Sequence, residues 1–292
     1  MTAASLAGQS AREKTREFSF SDEDFNSLRS LVREVTGITL ADSKRELVYG
    51  RLSRRLRVLG LPSFRDYRDL LASDEGRGEL SEFTNAVTTN LTSFFRESHH
   101  FDYLRDQILK PRMEDPTASR RIRIWSAGCS TGEEPYSAAI TIAETIPDWQ
   151  RWDIKILATD LDSEVLSRGQ NRIYKEDRVK GMNPKRVATF FRESVIGGGK
   201  QYTVNADIAS MITFRQLNLM HPLPMKGPLD IIFCRNVVIY FDKDTQRELF
   251  ARMARTQAAG ATMFLGHSES LFKVSEAWTL IGKTVYRRNG NA

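Results

Sequence analysis

The sequence predicts an α/β protein: a doubly wound, mostly parallel sheet domain with a small β-subdomain inserted in it and a small all-α domain ahead of it. Three observations carry this. RIRIWSAG (residues 121–128), IKILATD (ending at Asp160) and LDIIFCRN (229–236) are short apolar runs of the kind that buried parallel strands show. Helical stretches such as PYSAAITIAETI and SEVLSRGQ lie between them, and strands alternating with helices imply βαβ units. The first 90 residues instead hold four helical patterns broken by Gly and Pro, with no strand pattern.

Taken in order, residues 1–16 are polar and small and read as a disordered tail. In SDEDFNSLRSLVREVTG, Ser21 is the N-cap, Asp24 the acidic third helical residue, and Gly37 the stop. A second helix is expected over 43–59, ending at Gly60, a third in FRDYRDLLAS and a fourth in ELSEFTNAVTTN. These make a helical domain over 17–90, followed by the sheet domain over 91–292. From about 173 to 212 the strand–helix rhythm breaks. PKRVATFF, a triple glycine at 197–199 and the alternating QYTVNAD read as a hairpin-bearing insertion, and ATMFLGHSES and KTVYRRN supply the last strands.

Composition excludes some classes. With 40% hydrophobic and 27% charged residues the chain is ordinary for a globular protein, and no apolar run approaches a membrane span. The N-terminus lacks the apolar core of a secretory signal, and two cysteines, Cys129 and Cys234, fit free thiols in a reducing compartment, so a cytoplasmic location is expected. The net charge of +6 suggests an anionic partner without naming it. Between Lys44 and Arg68 eight basic residues face two acidic ones, an excess equal to that of the whole chain. On the second helix Val48, Leu52, Leu56 and Leu59 fall within an arc of about 80°. Lys44, Arg51, Arg54 and Arg57 fall on another arc, read as a free basic face for recognition.

The chemistry concentrates at strand ends. WSAGCSTGEEPYS places small residues between a strand and a helix, where a nucleotide-like ligand approaches the backbone. Gly132 is followed by Glu133 and Glu134, which would repel a pyrophosphate but suit a cationic ligand; taken alone, the pair is better read as a complement to the helix dipole. Asp160, at the tip of the next strand, is placed to accept from ribose hydroxyls, and Asp162 to cap the following helix. Asn218 has an amide able to read an adenine edge. Arg235, Asn236 and Tyr240 follow a buried run, and the plainer reading of Arg235 is a buried salt bridge to Glu133 or Glu134. Asn90, Thr92 and Arg96, interleaved with Leu91, Phe94 and Phe95, read as a segment packed over a site. The four histidines show no zinc-site spacing, and His267-Ser268-Glu269 reads as a strand-end loop rather than a triad.

Together, TTNLTSFFRE, STGEEPYS and FCRNVVIYF, in this order and spacing, resemble the CheR family of chemotaxis receptor glutamate methyltransferases, from about Phe20 to Arg287. The resemblance implies a Rossmann-like methyltransferase domain that uses S-adenosyl-L-methionine and releases S-adenosyl-L-homocysteine, with no metal. It implies a cofactor pocket lined by Asn90, Thr92, Arg96, Glu134, Asp160, Asn218, Leu219, Arg235 and Asn236. Cys129 stands where other methyltransferases carry a second glycine. Arg96 and Tyr240 are the candidates for orienting the substrate carboxylate, and Arg51, Arg54 and Arg57 for docking the methylation helices of receptors. A receptor C-terminal tail peptide is a candidate ligand of the β-subdomain. No nucleic acid and no membrane insertion are expected.

Two rival functions stand beside this one. A nucleic-acid methyltransferase would share the cofactor fold and use the basic stretch, but the Asp/Asn-Pro-Pro-aromatic motif that holds a target base amine is absent. A receptor-binding module without activity is disfavoured by competent polar residues at every cofactor-type position.

Overall fold

The computed structural model describes residues 16–290, which divide into two compact units, one ending at Thr89 and the other beginning at Asn90. Residues 1–15, most of the segment expected as a tail, lie outside the described residues. Arg16, its last member, is instead tied down, paired with Glu46 and lying 4.9 Å over the Tyr49 ring.

The first unit is helical. Helix α1 (Asp22–Thr36) starts with a capping box, in which Ser21 accepts from the Asp24 N–H and Asp24 accepts from the Ser21 N–H, and it stops at Gly37 in the left-handed region. Its Phe25, Leu28 and Val32 recur at helical spacing and are buried. Helix α2 (Arg45–Leu59) follows a 3-10 turn and ends at left-handed Gly60. Helix α3 (Phe64–Ala72) is capped by Ser63, and α4 (Arg77–Val87) follows Gly76, where a Cβ would lie 1.9 Å from the Leu70 carbonyl oxygen. One polar knot ties three of these helices. Arg55 of α2 grips Glu79 of α4 through both Nε and Nη2, and Tyr67 of α3 donates to the same carboxylate at 2.8 Å.

Two features of α2 depart from the sequence reading. Leu59 is exposed, because the helix ends there and the chain turns away. The basic face is not free: Arg51 donates to the carbonyls of Ala86 and Thr88 at the end of α4, and Arg57 pairs with Glu17 at 2.9 Å. Carbonyls at a helix end lack intrahelical partners, and a nearby guanidinium satisfies them. Arg54 remains exposed, and among the described residues it forms no ion pair.

The second unit opens with α5 (His99–Tyr103), which runs through a π-helical stretch (Leu104–Leu109) into a last α turn (Lys110–Glu114). Its sheet is built from β1 (Arg121–Ala127), β2 (Asp153–Asp160), β6 (Ile212–Gln216), β7 (Leu229–Cys234), β8 (Gln257–Leu265), β9 (Trp278–Leu280) and β10 (Val285–Arg288). The order is β6-β2-β1-β7-β8-β10-β9; the first five are parallel, and β10 and β9 close one edge antiparallel. The burial of Ile124, Trp125, Ala127, Ile231, Ile232 and Phe233 shows why these runs read as continuously apolar: both faces of the sheet are covered. From β1 the chain builds outward through β2 to β6, then returns to place β7 on the other side of β1. The carboxyl ends of β1 and β7 therefore flank the switch point at which α/β sheets bind ligands.

Between β2 and β6 lie β3 (Ile173–Lys175), β4 (Phe191–Ile196) and β5 (Gly199–Val204), a separate three-stranded antiparallel sheet of order β3-β5-β4. The β4–β5 hairpin turns on Gly197 and Gly198, both at positive φ. Among the described residues, no helix is long and apolar enough to cross a membrane.

Candidate cofactor and methyl-transfer site

The loop leaving β1 is pinned from the β2 side. Gly128 and Cys129 donate to the Thr159 carbonyl at 2.8 and 2.9 Å, and Ser130, held at φ 49°, donates its N–H to Asp160 Oδ2 at 2.8 Å. The other Asp160 oxygen accepts the Asp162 N–H at 3.0 Å. Burial raises the Asp160 carboxyl above its ordinary value, against the pull of these N–H bonds. Asp162 caps the helix Ser163–Asn171 through the N–H groups of Glu164 and Val165, the cap role read from the sequence. Asn90 donates to Asp162 at 2.8 Å, and its carbonyl accepts from Ser130 Oγ. Asn90 is thereby joined to Asp160 through two independent links.

The two glutamates that open the helix Glu133–Thr145 have different fates. Glu133 is fully buried and committed to Arg178, whose Nη2 also donates to the Thr92 carbonyl at 2.9 Å. Glu134 accepts from Ser126 Oγ at 2.7 Å and from Arg235 Nη1 at 3.0 Å. Burial lifts its carboxyl above the ordinary value even though Arg235 opposes the shift. The salt bridge suspected for Arg235 exists, and its partner is Glu134. Arg235 also donates to the Arg96 carbonyl and lies 3.5 Å from Glu97, while its Nε has no protein partner.

The remaining candidates are placed as follows. Arg96 is half-buried and donates to the Leu91 carbonyl at 2.8 Å. Asn218 and Leu219 follow β6, whose exit is tied to β2 by the Leu217 N–H donating to the Asp160 carbonyl. Asn236 sits at φ 60°, and Tyr240, four residues further on, ends a 3-10 turn and is half-buried. Asn90 and Asp160 are thus linked at the ends of β1 and β2, and Glu134, Arg235 and the Arg96 carbonyl at the ends of β1 and β7. Arg51, Arg54 and Arg57 belong to the helical unit. Cys129 is buried and free, and burial raises its thiol well above the ordinary value, which makes it a packing residue here rather than a nucleophile.

Two features were not legible beforehand. Glu97, His99 and His100 bring potential ligand atoms within 4.8 Å of one another, a proximity the sequence spacing did not reveal. The Arg235 guanidinium already stands beside Glu97 as its positive partner. Glu269, expected in a plain loop, is buried and accepts five backbone N–H groups.

The chain matches two family descriptions: "CheR methyltransferase, all-alpha domain" over residues 23–88 and "CheR methyltransferase, SAM binding domain" over 90–287. It is 40% identical over 290 residues to a chemotaxis protein methyltransferase of Escherichia coli, covering 98% of each chain. It is 42% identical over 273 residues to chemotaxis protein methyltransferase 2 of Pseudomonas aeruginosa, covering 93% of this chain and 95% of that one. With both domain descriptions matched and identity sustained over nearly the full length, the chain belongs to the CheR methyltransferase family.

Proposed function

We propose that this protein binds S-adenosylmethionine at the ends of β1, β2 and β7 and methylates glutamate carboxylates of chemotaxis receptors in the cytoplasm. The observation that carries the cofactor reading is the placement of two carboxylates, the buried Asp160 and the largely buried Glu134, beside a backbone loop free of lysine. That pair of anionic acceptors fits a cationic nucleoside and disfavours a phosphate. Asp160 would accept from the ribose hydroxyls, and Glu134 with Arg235, Asn90, Thr92, Asn218, Leu219 and Asn236 would line the remainder. When bound, the cofactor supplies an electrophilic methyl group on a sulfonium.

A glutamate side chain with a pKa near 4.3 is already anionic at neutral pH, so the protein needs no general base. Its tasks are alignment and exclusion of water. Arg96 would steer the substrate carboxylate, with its guanidinium partly restrained by the Leu91 carbonyl, which tempers its hold on the nucleophile. Tyr240 would complete the orientation. The receptor tail peptide reading rests on β4. Among the described residues this strand pairs with β5 alone, and it carries exposed Val195 and Ile196, a suitable edge for an added strand.

The test is transfer of labelled methyl to receptor cytoplasmic domains, with and without their tails, alongside RNA and DNA. Base-labile label on receptor glutamates is the expected result. Label on nucleic acid, or cofactor binding without transfer to any receptor, overturns the reading.

A further inference from the structure

Glu269 is 5% exposed and lies in the turn that leaves β8. Its Oε2 accepts the N–H groups of Asn236 and Gly266 at 2.8 and 2.7 Å. Its Oε1 accepts those of Val237, Val238 and Ile239 at 2.8, 2.8 and 3.2 Å. Among the described residues it forms no ion pair, so these backbone dipoles are what compensates the carboxylate. Four of the five belong to one unbroken segment, the exit of β7, between Arg235 and Tyr240.

That segment has a particular conformation to maintain. Asn236 holds a positive φ, a region that among L-residues other than glycine is adopted mainly by Asn and Asp. The fit is close on every side. A Cβ on Gly266 would lie 2.4 Å from Asn236 Nδ2 and 2.9 Å from both Asn236 N and Glu269 Oε2. A Cβ on Gly128, in the loop leaving β1, would lie 2.3 Å from Val237 Cγ2. The segment that Glu269 grips therefore abuts the loop leaving β1 and continues into Tyr240.

We infer that Glu269 is a positioning residue for methyl transfer, fixing the 236–239 backbone so that Asn236, Tyr240 and the loop leaving β1 hold a reactive geometry. This rests on the methyl-transfer reading above. A carboxylate is required because charge-assisted bonds to both oxygens satisfy all five donors, whereas an amide offers one acceptor oxygen and turns its NH2 toward the other donors.

The test uses the full chain. Glu269→Gln should lower kcat on the order of 100-fold, the scale of a roughly 1 Å misplacement in a site, and leave the receptor KM near its original value. Its affinity for S-adenosylhomocysteine, measured by calorimetry, should weaken severalfold. Glu269→Asp keeps both oxygens and should recover part of the lost kcat. Leu249→Ala, in the core beneath the sheet, serves as a stability control: it should lower the melting temperature without changing kcat. If Glu269→Gln proves insoluble, Gly266→Ala should produce the same separation of kcat from KM. Turnover and cofactor affinity in Glu269→Gln equal to those of Leu249→Ala would overturn the inference. If the unmodified protein methylates no receptor, the methyl-transfer reading fails, while the calorimetric comparison still decides whether Glu269 shapes the site.

Discussion

Arg235, at the exit of β7, donates from Nη1 to Glu134 Oε2 across 3.0 Å, and Glu134 stands in the first turn of the helix that follows β1. One ion pair therefore bridges the two strands that flank the switch point. Both side chains are nearly inaccessible, at 2% and 12% exposure, so water compensates neither charge if the other is removed.

Glu134→Ala should accordingly destabilise the protein by about 3 kcal/mol, the lower end for breaking a buried pair, because Glu97 and the Arg96 carbonyl still attend Arg235. Glu134→Gln should cost less, since its amide oxygen can still accept. Urea denaturation of the two variants measures this. An alanine variant within 1 kcal/mol of the original protein would show the pair to be energetically idle.

Asp160 supplies a prediction in pH. Burial raises its carboxyl, so just above the ordinary carboxylate range the folded site still holds a proton that the free side chain would have released. Accepting two ribose hydroxyls favours the ionised form, so cofactor binding should expel that proton. Affinity should then rise with pH through this window. Calorimetry in buffers of differing ionisation enthalpy would register the proton release. Asp160→Asn should bind weakly, with a flat profile. An unaltered affinity in that variant removes Asp160 from the pocket.

Local signals made much of the fold legible. Ser21 with Asp24, and the glycines at 37 and 60, act within a turn of the backbone, and the apolar runs of β1, β2 and β7 announce burial on both faces. The acidic loop and Asp160 could be placed because strand ends are readable. What escaped depends on long-range partners. Arg178 reaches Glu133 across 45 positions, and Glu269 reaches the Asn236 N–H across 33. Nothing periodic marks a buried carboxylate that serves backbone donors. Arg51 looked free because helical spacing tests only for acidic neighbours on the same helix, and its partners are carbonyls of another one.

His100 should govern part of the acid sensitivity. It is fully buried, and burial first, then Arg235, drives its pKa down to about 3 from an ordinary 6.5. The folded protein therefore binds fewer protons than the unfolded chain between these values. Stability from this group is complete above pH 6.5 and is lost as pH falls toward 3. At 1.36 kcal/mol per unit, the loss by pH 4 is on the order of 3 kcal/mol. His100→Gln should be less stable at pH 7 yet show a shallower fall in melting temperature down to pH 4. Parallel curves for the two proteins would exclude His100 as the source.

The last prediction divides the arginines of α2 by what each one touches. Arg51 is spent on the carbonyls of Ala86 and Thr88, and Arg57 on Glu17, whereas Arg54 and Lys44 are exposed. Arg51→Ala should thus act on the helical unit itself, exposing carbonyls at the end of α4 and costing about 1 kcal/mol or more. Arg54 should act on the partner. If α2 docks on glutamate-bearing receptor helices, Lys44→Glu with Arg54→Glu should raise the receptor KM and leave cofactor affinity and melting temperature unchanged. The same double variant should lose the salt sensitivity of the reaction, because exposed charges are screened beyond about 10 Å at 0.1 M salt. Steady-state kinetics at two ionic strengths resolves the two classes. An unaltered KM and salt profile in the double variant would reduce α2 to scaffold.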